Sequence, residues 1–315
     1  MARASFAEGA LTSPLARISE TPHRRLRAVP MGVIIGVIGV TACVLIGFIG
    51  PGGPVPVLFQ PFELLVIGGS ACFTVVSGNP GYVAKNVIPG IIGAIKGSGI
   101  SKATYVDLLG LMATIFDIMR KEGALGIESD LANPHDSPRF NKYPKASHDH
   151  HLMDTFTSAL RLFVDGVVNA FDLERMLDTE IETHHEEALL VPGALSKLAD
   201  AFPALGIVAA VLGIIITMQH LDGPPAEIGH HVAAALVGTM LGILLSYGYF
   251  APIAAKTEHV AREQTAILNT VKVALVAFAG GSPPAVALEF CRKTIPSIFR
   301  PTAEEMEEII RNAKK

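Results

Sequence analysis

Apolar residues along this chain gather into four uninterrupted blocks separated by polar sequence, whereas a soluble core protein would interleave the two. The blocks are Val29–Gly50, Val57–Gly78, Phe202–Gln219 and Val232–Ala255. Each is close to the roughly 20 residues that a helix needs to cross about 30 Å of hydrocarbon. Backbone in lipid must satisfy its own hydrogen bonds, so each block predicts a transmembrane helix. The blocks hold a single Asp, Glu, Lys or Arg, which is Glu63. The first block is too long for the apolar stretch of a signal peptide and no A-x-A site follows it, so no cleavage is expected.

The sequence between the blocks keeps helical spacing. Thr104–Met119 alternates apolar and polar positions with the period of an amphipathic helix. A Gly- and Pro-rich stretch around Pro89, Gly90 and Gly93 precedes it. Gly123 and Gly126 break the pattern after it, and Asn133, Pro134 and Pro138 mark a loop. His151–Arg175 and Met176–Ala188 predict two further helices, and His259–Ala279 a long one. In the tail, Thr302 and Glu305 have the spacing of a capping box. No segment predicts a strand. The expected fold class is therefore all-α: an integral membrane protein with four transmembrane helices and a cytoplasmic helical domain. Its expected units are an N-terminal extension (1–28), two spans (29–78), a helical domain (79–200), two more spans (201–255) and C-terminal helices (256–315).

Charge adds an orientation. Half of the chain is hydrophobic and 17% is charged, against about 25% for soluble domains. The net charge of −4 excludes a general nucleic-acid binder. The connections Pro51–Leu58 and His220–His231 contain no Lys or Arg, and the N-terminal tail, 79–200 and the sequence after 253 carry all 25. By the positive-inside rule those three regions, and both termini, are cytoplasmic. The outer loops are too short to form a domain. Cys43, Cys72 and Cys291 have neither disulfide-framework nor metal-ligand spacing.

Candidate chemistry is sparse. Glu63 directly follows the first outer loop, where an interfacial or capping role is expected. Gly206, Ala209, Ala210 and Gly213 in the third block, and Gly238, Thr239, Gly242 and Ser246 in the fourth, predict close helix packing. The same face would form a narrow groove holding the Thr239 hydroxyl. Pro203 opens the third block and could simply start a helix, whereas Pro252 lies near the end of the fourth, where a kink is expected. His148, His150, His151, His184 and His185 match no strong zinc spacing, so no metal or other cofactor is expected. The absence of nucleotide-binding and hydrolase motifs argues against an enzyme. A self-sufficient transporter would ordinarily carry its own buried acid or base.

The stretches QPFELLVIGGSA, YVDLLGLM, IESDLANP, LDTEIETHHEEA, FPALGIVAAVLG, LVGTMLGILLSYGYFAPIA and LEFCRKTIPSIFRPT, in this order, resemble the flagellar stator branch of the MotA/TolQ/ExbB proton channel family. The resemblance covers nearly all of Met31–Lys315 and leaves the first 30 residues uncovered. It implies a pentameric ring around a MotB-like dimer, which supplies the membrane Asp and a peptidoglycan anchor. It also implies a bacterial inner-membrane location among lipid, and torque on the rotor protein FliG. On this resemblance, Arg120, Lys121 and Glu128 fall on rotor-facing positions, Pro203 and Pro252 on the coupling prolines, and Thr239 on the pore threonine. Ala210 falls where sodium-driven relatives carry a second hydroxyl. Its lack of an oxygen ligand favours protons over Na⁺. An ExbB/TolQ-type energiser and a sodium-driven stator are the alternatives.

Overall fold

The computed structural model describes residues 32–220 and 222–314. The N-terminal extension and the first three residues of the first apolar block lie outside them. The described chain is helical with no strand, and four of its helices are long and apolar enough to cross a membrane.

Helix α1 (Gly32–Ile49) lies wholly within the first block. The second block begins later than its apolar pattern predicts. Val55–Leu58 form a tight 3₁₀ turn, and α2 (61–78) starts at Pro61, where a missing N–H is harmless in the first helical turn. Helix α3 (Gly81–Lys96) runs through the Gly- and Pro-rich stretch with Pro89 inside it, burying Val83, Val87 and Ala94 on one face. Helix α4 (Lys102–Glu122) is closed at its start by reciprocal bonding between Ser101 and Thr104. It stops at Gly123, whose φ of +73° suits glycine.

After several short turns, α5 (His150–Val164) is capped by Asp149, which accepts from the Leu152 N–H at 3.1 Å. The expected helix boundary at Arg175/Met176 is wrong. The break comes earlier, at Gly166 (φ +69°), and the Asn169 side chain then caps a new helix by accepting from Phe171 and Asp172. That helix, α6 (Ala170–Met218), runs 49 residues from polar sequence through the third apolar block. Likewise α7 (Pro225–Ala279) carries the fourth block directly into the predicted His259–Ala279 helix. Helices α8 (Pro284–Thr294) and α9 (Ala303–Ala313) complete the described chain, α9 with the Thr302–Glu305 capping box.

Two apolar cores form. One gathers Tyr105, Leu108, Phe116, Phe156, Leu177, Val271, Leu288 and Met306, among others. The second joins Ile67 and Ala71 of α2 and Val83 and Val87 of α3 to Leu195, Phe202 and Ile253. Helices α6 and α7 contribute to both, so the apolar spans continue into the charged region without a flexible joint. Side-chain bonds lock the charged region: Lys102 to Glu305 at 2.6 Å, Lys272 to Asp178 at 2.6 Å, and Arg292 to the Pro301 carbonyl at 3.0 Å. Burial pushes the Tyr105 hydroxyl up to about 12, with Glu263 and Cys291 adding to it. The same cause raises the buried Cys291 thiol, leaving it an inert packing group.

Candidate functional site

Two sets of residues carry candidate chemistry, one where α6 and α7 meet and one at and just beyond the end of α4. The first is the face where these helices meet. A side chain at Gly242 would place its Cβ 2.6 Å from the Phe202 carbonyl oxygen and 2.9 Å from the Gly206 Cα. A Cβ at Gly213 would come within 2.9 Å of the Ala235 Cβ. Antiparallel backbones therefore touch at glycines, as the small-residue pattern predicts. Gly238 lies level with Ala209 and Ala210, its would-be Cβ 3.3 Å from the Ala209 side chain and 3.6 Å from the Ala210 nitrogen. Ala210 and Thr239 are thus brought to one level, each half-buried. Most neighbouring helical hydroxyls bond back one turn: Thr217 to Gly213, Thr257 to Ile253, Thr270 to Ala266. The Thr239 hydroxyl makes no such bond, so among the described residues it is free for another acceptor or donor.

Glu63 joins the same level. Its Cγ lies 3.4 Å from the would-be Cβ of Gly238. Although Glu63 sits in the first turn of α2, its carboxylate caps no backbone amide there. The capping role expected from its position next to the loop is therefore not the one it plays.

The two prolines differ in setting. Pro203 does not start a helix, as its place at the head of the apolar block suggested. It lies deep inside α6, where its missing N–H leaves the Ala199 carbonyl without a helical donor. Pro192, which the sequence reading passed over, repeats this eleven residues earlier. Pro252 lies two residues past a π-helical stretch, Leu244–Phe250, after which the Ala251 N–H reaches back to the Ser246 carbonyl. The ring cannot donate to Gly248 and crowds that carbonyl, so the turn before it widens. Gly248 meets Val40 of α1, and the Tyr249 hydroxyl bonds Thr41 at 2.8 Å, which fastens α1 to this widened turn. The Ser246 hydroxyl is buried there without a partner.

The second set lies at the end of α4. Arg120, Lys121 and Glu128 are exposed. Lys121 pairs with Asp117 at 2.6 Å, whereas Arg120 and Glu128 have no ion pair among the described residues. Arg120 stands on the rim of a cleft of about 420 Å³ lined by Met119, Phe163, Phe278, Pro283 and Pro284. Glu128 opens a short helical turn, Glu128–Ala132, anchored from beneath. Asp130, 6% exposed, accepts from Ser137 and from Arg139 at 2.6 Å each, and Arg139 also holds the Gly126 carbonyl at 2.7 Å. Nothing local in the sequence marks this anchor, because the burial of Asp130 arises only in the fold.

The histidines form pairs. His151 stacks on His184 with ring centroids 4.2 Å apart, and His135 lies 5.3 Å from His150. Burial, and then the neighbouring His151, hold His184 below the usual imidazole range. At the far end of α6 and α7, His220 and His231 stack at 5.3 Å.

Residues 34–123 match the family described as Motility protein A N-terminal, and residues 147–270 match the MotA/TolQ/ExbB proton channel family. The chain is similar to Motility protein A of Salmonella typhimurium, 37% identical over 89% of this chain and 95% of that protein. Motility protein A of Escherichia coli is also 37% identical, over 90% and 96%. A solved structure of C. jejuni MotAB shares the fold, with a TM-score of 0.71 at 19% identity over 85% of this chain and 96% of that one. Two family matches covering both pairs of spans, and relatives aligned over nearly their full length, show that this chain belongs to the MotA/TolQ/ExbB proton channel family, on its motility protein A branch.

Proposed function

We propose that this chain is the ring-forming stator subunit of a flagellar motor, set in the bacterial inner membrane with both termini in the cytoplasm. In this reading a MotB-like partner supplies the peptidoglycan anchor and an ion-accepting Asp beside Thr239. Several copies, five by family resemblance, surround that partner, and the ring turns against FliG as protons pass. The observation that carries the proposal is the continuity of α6 and α7. Each helix takes a proline-bearing apolar span straight into the domain that presents Arg120 and Glu128. A shift at the span therefore has a stiff path to the charged surface.

Ala210 leaves the Thr239 level one hydroxyl short of what a dehydrated Na⁺ would want, which supports protons as the coupling ion. Each proton crossing 100 mV releases about 2.3 kcal/mol. That is sufficient to bias a step of the ring but small beside a stable fold, so the working states must lie close in energy. Unpaired Arg120 and Glu128, one on a helix end and one on an anchored helical turn, suit a partner surface of alternating charge.

Reversing both charges, Arg120→Glu with Glu128→Lys, should abolish torque in a stator-deleted strain that carries this chain and its partner. Co-purification with the partner should be unchanged. Swimming at normal speed with both charges reversed would place the rotor contact elsewhere.

A further inference from the structure

His220 lies just past the end of α6 and His231 near the start of α7, and the turn between them brings their ring centroids to 5.3 Å. One bond fixes how His220 is presented. Its Nδ1 lies 2.9 Å from the Ile216 carbonyl oxygen. A carbonyl only accepts, so in the neutral ring the proton sits on Nδ1 and Nε2 keeps its lone pair. That bond alone is an ordinary cap on the last turn of a helix. It is also how a protein holds a histidine for a metal, with one ring nitrogen donating to a carbonyl and the other left for the ion. Across the gap, His231 makes no hydrogen bond among the described residues. Metal–nitrogen bonds of about 2.0–2.1 Å at a tetrahedral angle set two ligating rings about 5.2 Å apart, centroid to centroid. The pair already stands at that spacing.

The surroundings favour a cation. Residues 220–231 include Asp222 and Glu227 and no Lys or Arg. His230 stands edge-on to His231 at 6.2 Å. No group of three His, Cys, Asp or Glu closes around an ion among the described residues, so the site has two protein ligands and water completes the shell. The other histidine pairs fit less well. His151 and His184 stack at 4.2 Å, closer than two rings on one tetrahedral ion stand. His135 and His150 are 5.3 Å apart, but neither ring is held by a hydrogen bond among the described residues.

We propose that His220 and His231 form a binding site for an imidazole-seeking divalent cation of the Zn²⁺ class, at the ends of α6 and α7 remote from the charged domain. Nε2 of His220 and a ring nitrogen of His231 each displace one water from the ion's hydration shell. The bound ion ties the last turn of α6 to the first turns of α7. No side-chain hydrogen bond joins the two helices at that end among the described residues. On the topology proposed above, this end faces the outside of the cell, within reach of cations that never enter the cytoplasm. The site itself does not depend on that topology.

The test uses the full chain in detergent, purified without a histidine tag and stripped of metal. It is titrated with Zn²⁺ against a chromophoric chelator, well above the imidazole pKa of about 6.5. The wild-type chain should take up Zn²⁺, and X-ray absorption of the bound ion should show two imidazole ligands. His231→Gln, which leaves the α6 cap untouched, and His220→Gln should each lower the affinity about tenfold or more, because losing an outer-shell partner alone costs about 10–100-fold. His135→Gln combined with His150→Gln should bind as the wild type does. Wild-type affinity in both His220→Gln and His231→Gln overturns the inference. So does loss of binding in the His135 and His150 double variant, or a bound ion with no imidazole around it. If one of the two single variants fails to accumulate, the affinity of the other decides the matter.

Discussion

The spans and the charged domain of this chain are held together by different physics. Every ion pair among the described residues lies in the charged domain. There, bulky side chains close a core in which Phe116 stacks on Phe278 at 4.2 Å. Between the spans, contact is made by removing side chains: Gly206 on Gly242, Gly213 on Ala235. Lipid offers no hydrophobic gain for bringing two apolar helices together, so close backbone approach and dispersion must do it. In the domain, apolar burial does most of the work and the surface ion pairs add little. Filling space should therefore be ruinous between the spans, and emptying it ruinous in the domain.

The largest effect is expected at Gly242. Its new Cβ would meet backbone atoms of Phe202 and Gly206, and backbone cannot rotate out of the way. Gly242→Leu should force α6 and α7 apart, so that little protein accumulates in membranes and motility is lost. Gly193→Ala, on the same long helix but with nothing within 4 Å of its Cβ, should leave accumulation unchanged. Equal loss in both variants would show that helical glycine as such matters, and would break the comparison. Next comes Phe116→Ala. Phe116 is fully buried, and its deletion should destabilise the charged domain by about 3–5 kcal/mol. Thermal melts should fall accordingly, with protease cutting 102–164 earlier while the spans stay protected. Simultaneous loss of both regions would mean that α6 and α7 fuse them into one cooperative unit.

The helices were legible in the sequence because apolar blocks and helical periodicity are local properties. The capping box at Thr302 and Glu305 and the glycine stop at Gly123 were equally local, and the structure contains both. What was hidden was continuity. Pro203 at the head of an apolar block reads as a helix start, yet upstream turns packed into both cores carry α6 straight through it. Similarly, Gly166 and Asn169 moved the α5–α6 boundary, because an Asn cap competes with a merely charged run for where a helix begins. At the site, the small-residue faces announced close packing and named Ala210 and Thr239. They could not announce that Glu63, 175 positions before Gly238 in the chain, would lie against it. That proximity arises only when α2 docks on α7. The Asp130–Arg139 anchor beneath Glu128 was hidden for the same reason, since a buried acid cannot be told from a solvated one until the loop above it closes.

The smallest effect is expected at His184, and it separates burial from charge within the domain. Its Nδ1 is buried without a partner, and its ring stacks on His151. Burial holds its pKa down, the adjacent His151 and His185 add to this, and Glu187 and Asp149 act in the opposite sense. Folding thus disfavours the charged form of this imidazole relative to the unfolded chain, where it titrates near the ordinary value of about 6.5. Below that pH the unfolded state binds the extra proton more readily, so this contribution to stability is fully present above it and is lost as pH falls. Melting of the detergent-solubilised protein should therefore drop between about pH 7.5 and about pH 5.5, the interval in which an unfolded-state histidine gains its proton. His184→Gln, which cannot gain that proton, should show a flatter decline over the same interval. Parallel declines in the two proteins would assign the acid sensitivity to carboxylates lost from the surface pairs instead. That result would give the ion pairs of the charged domain more weight in its stability than the contrast with the spans allows them.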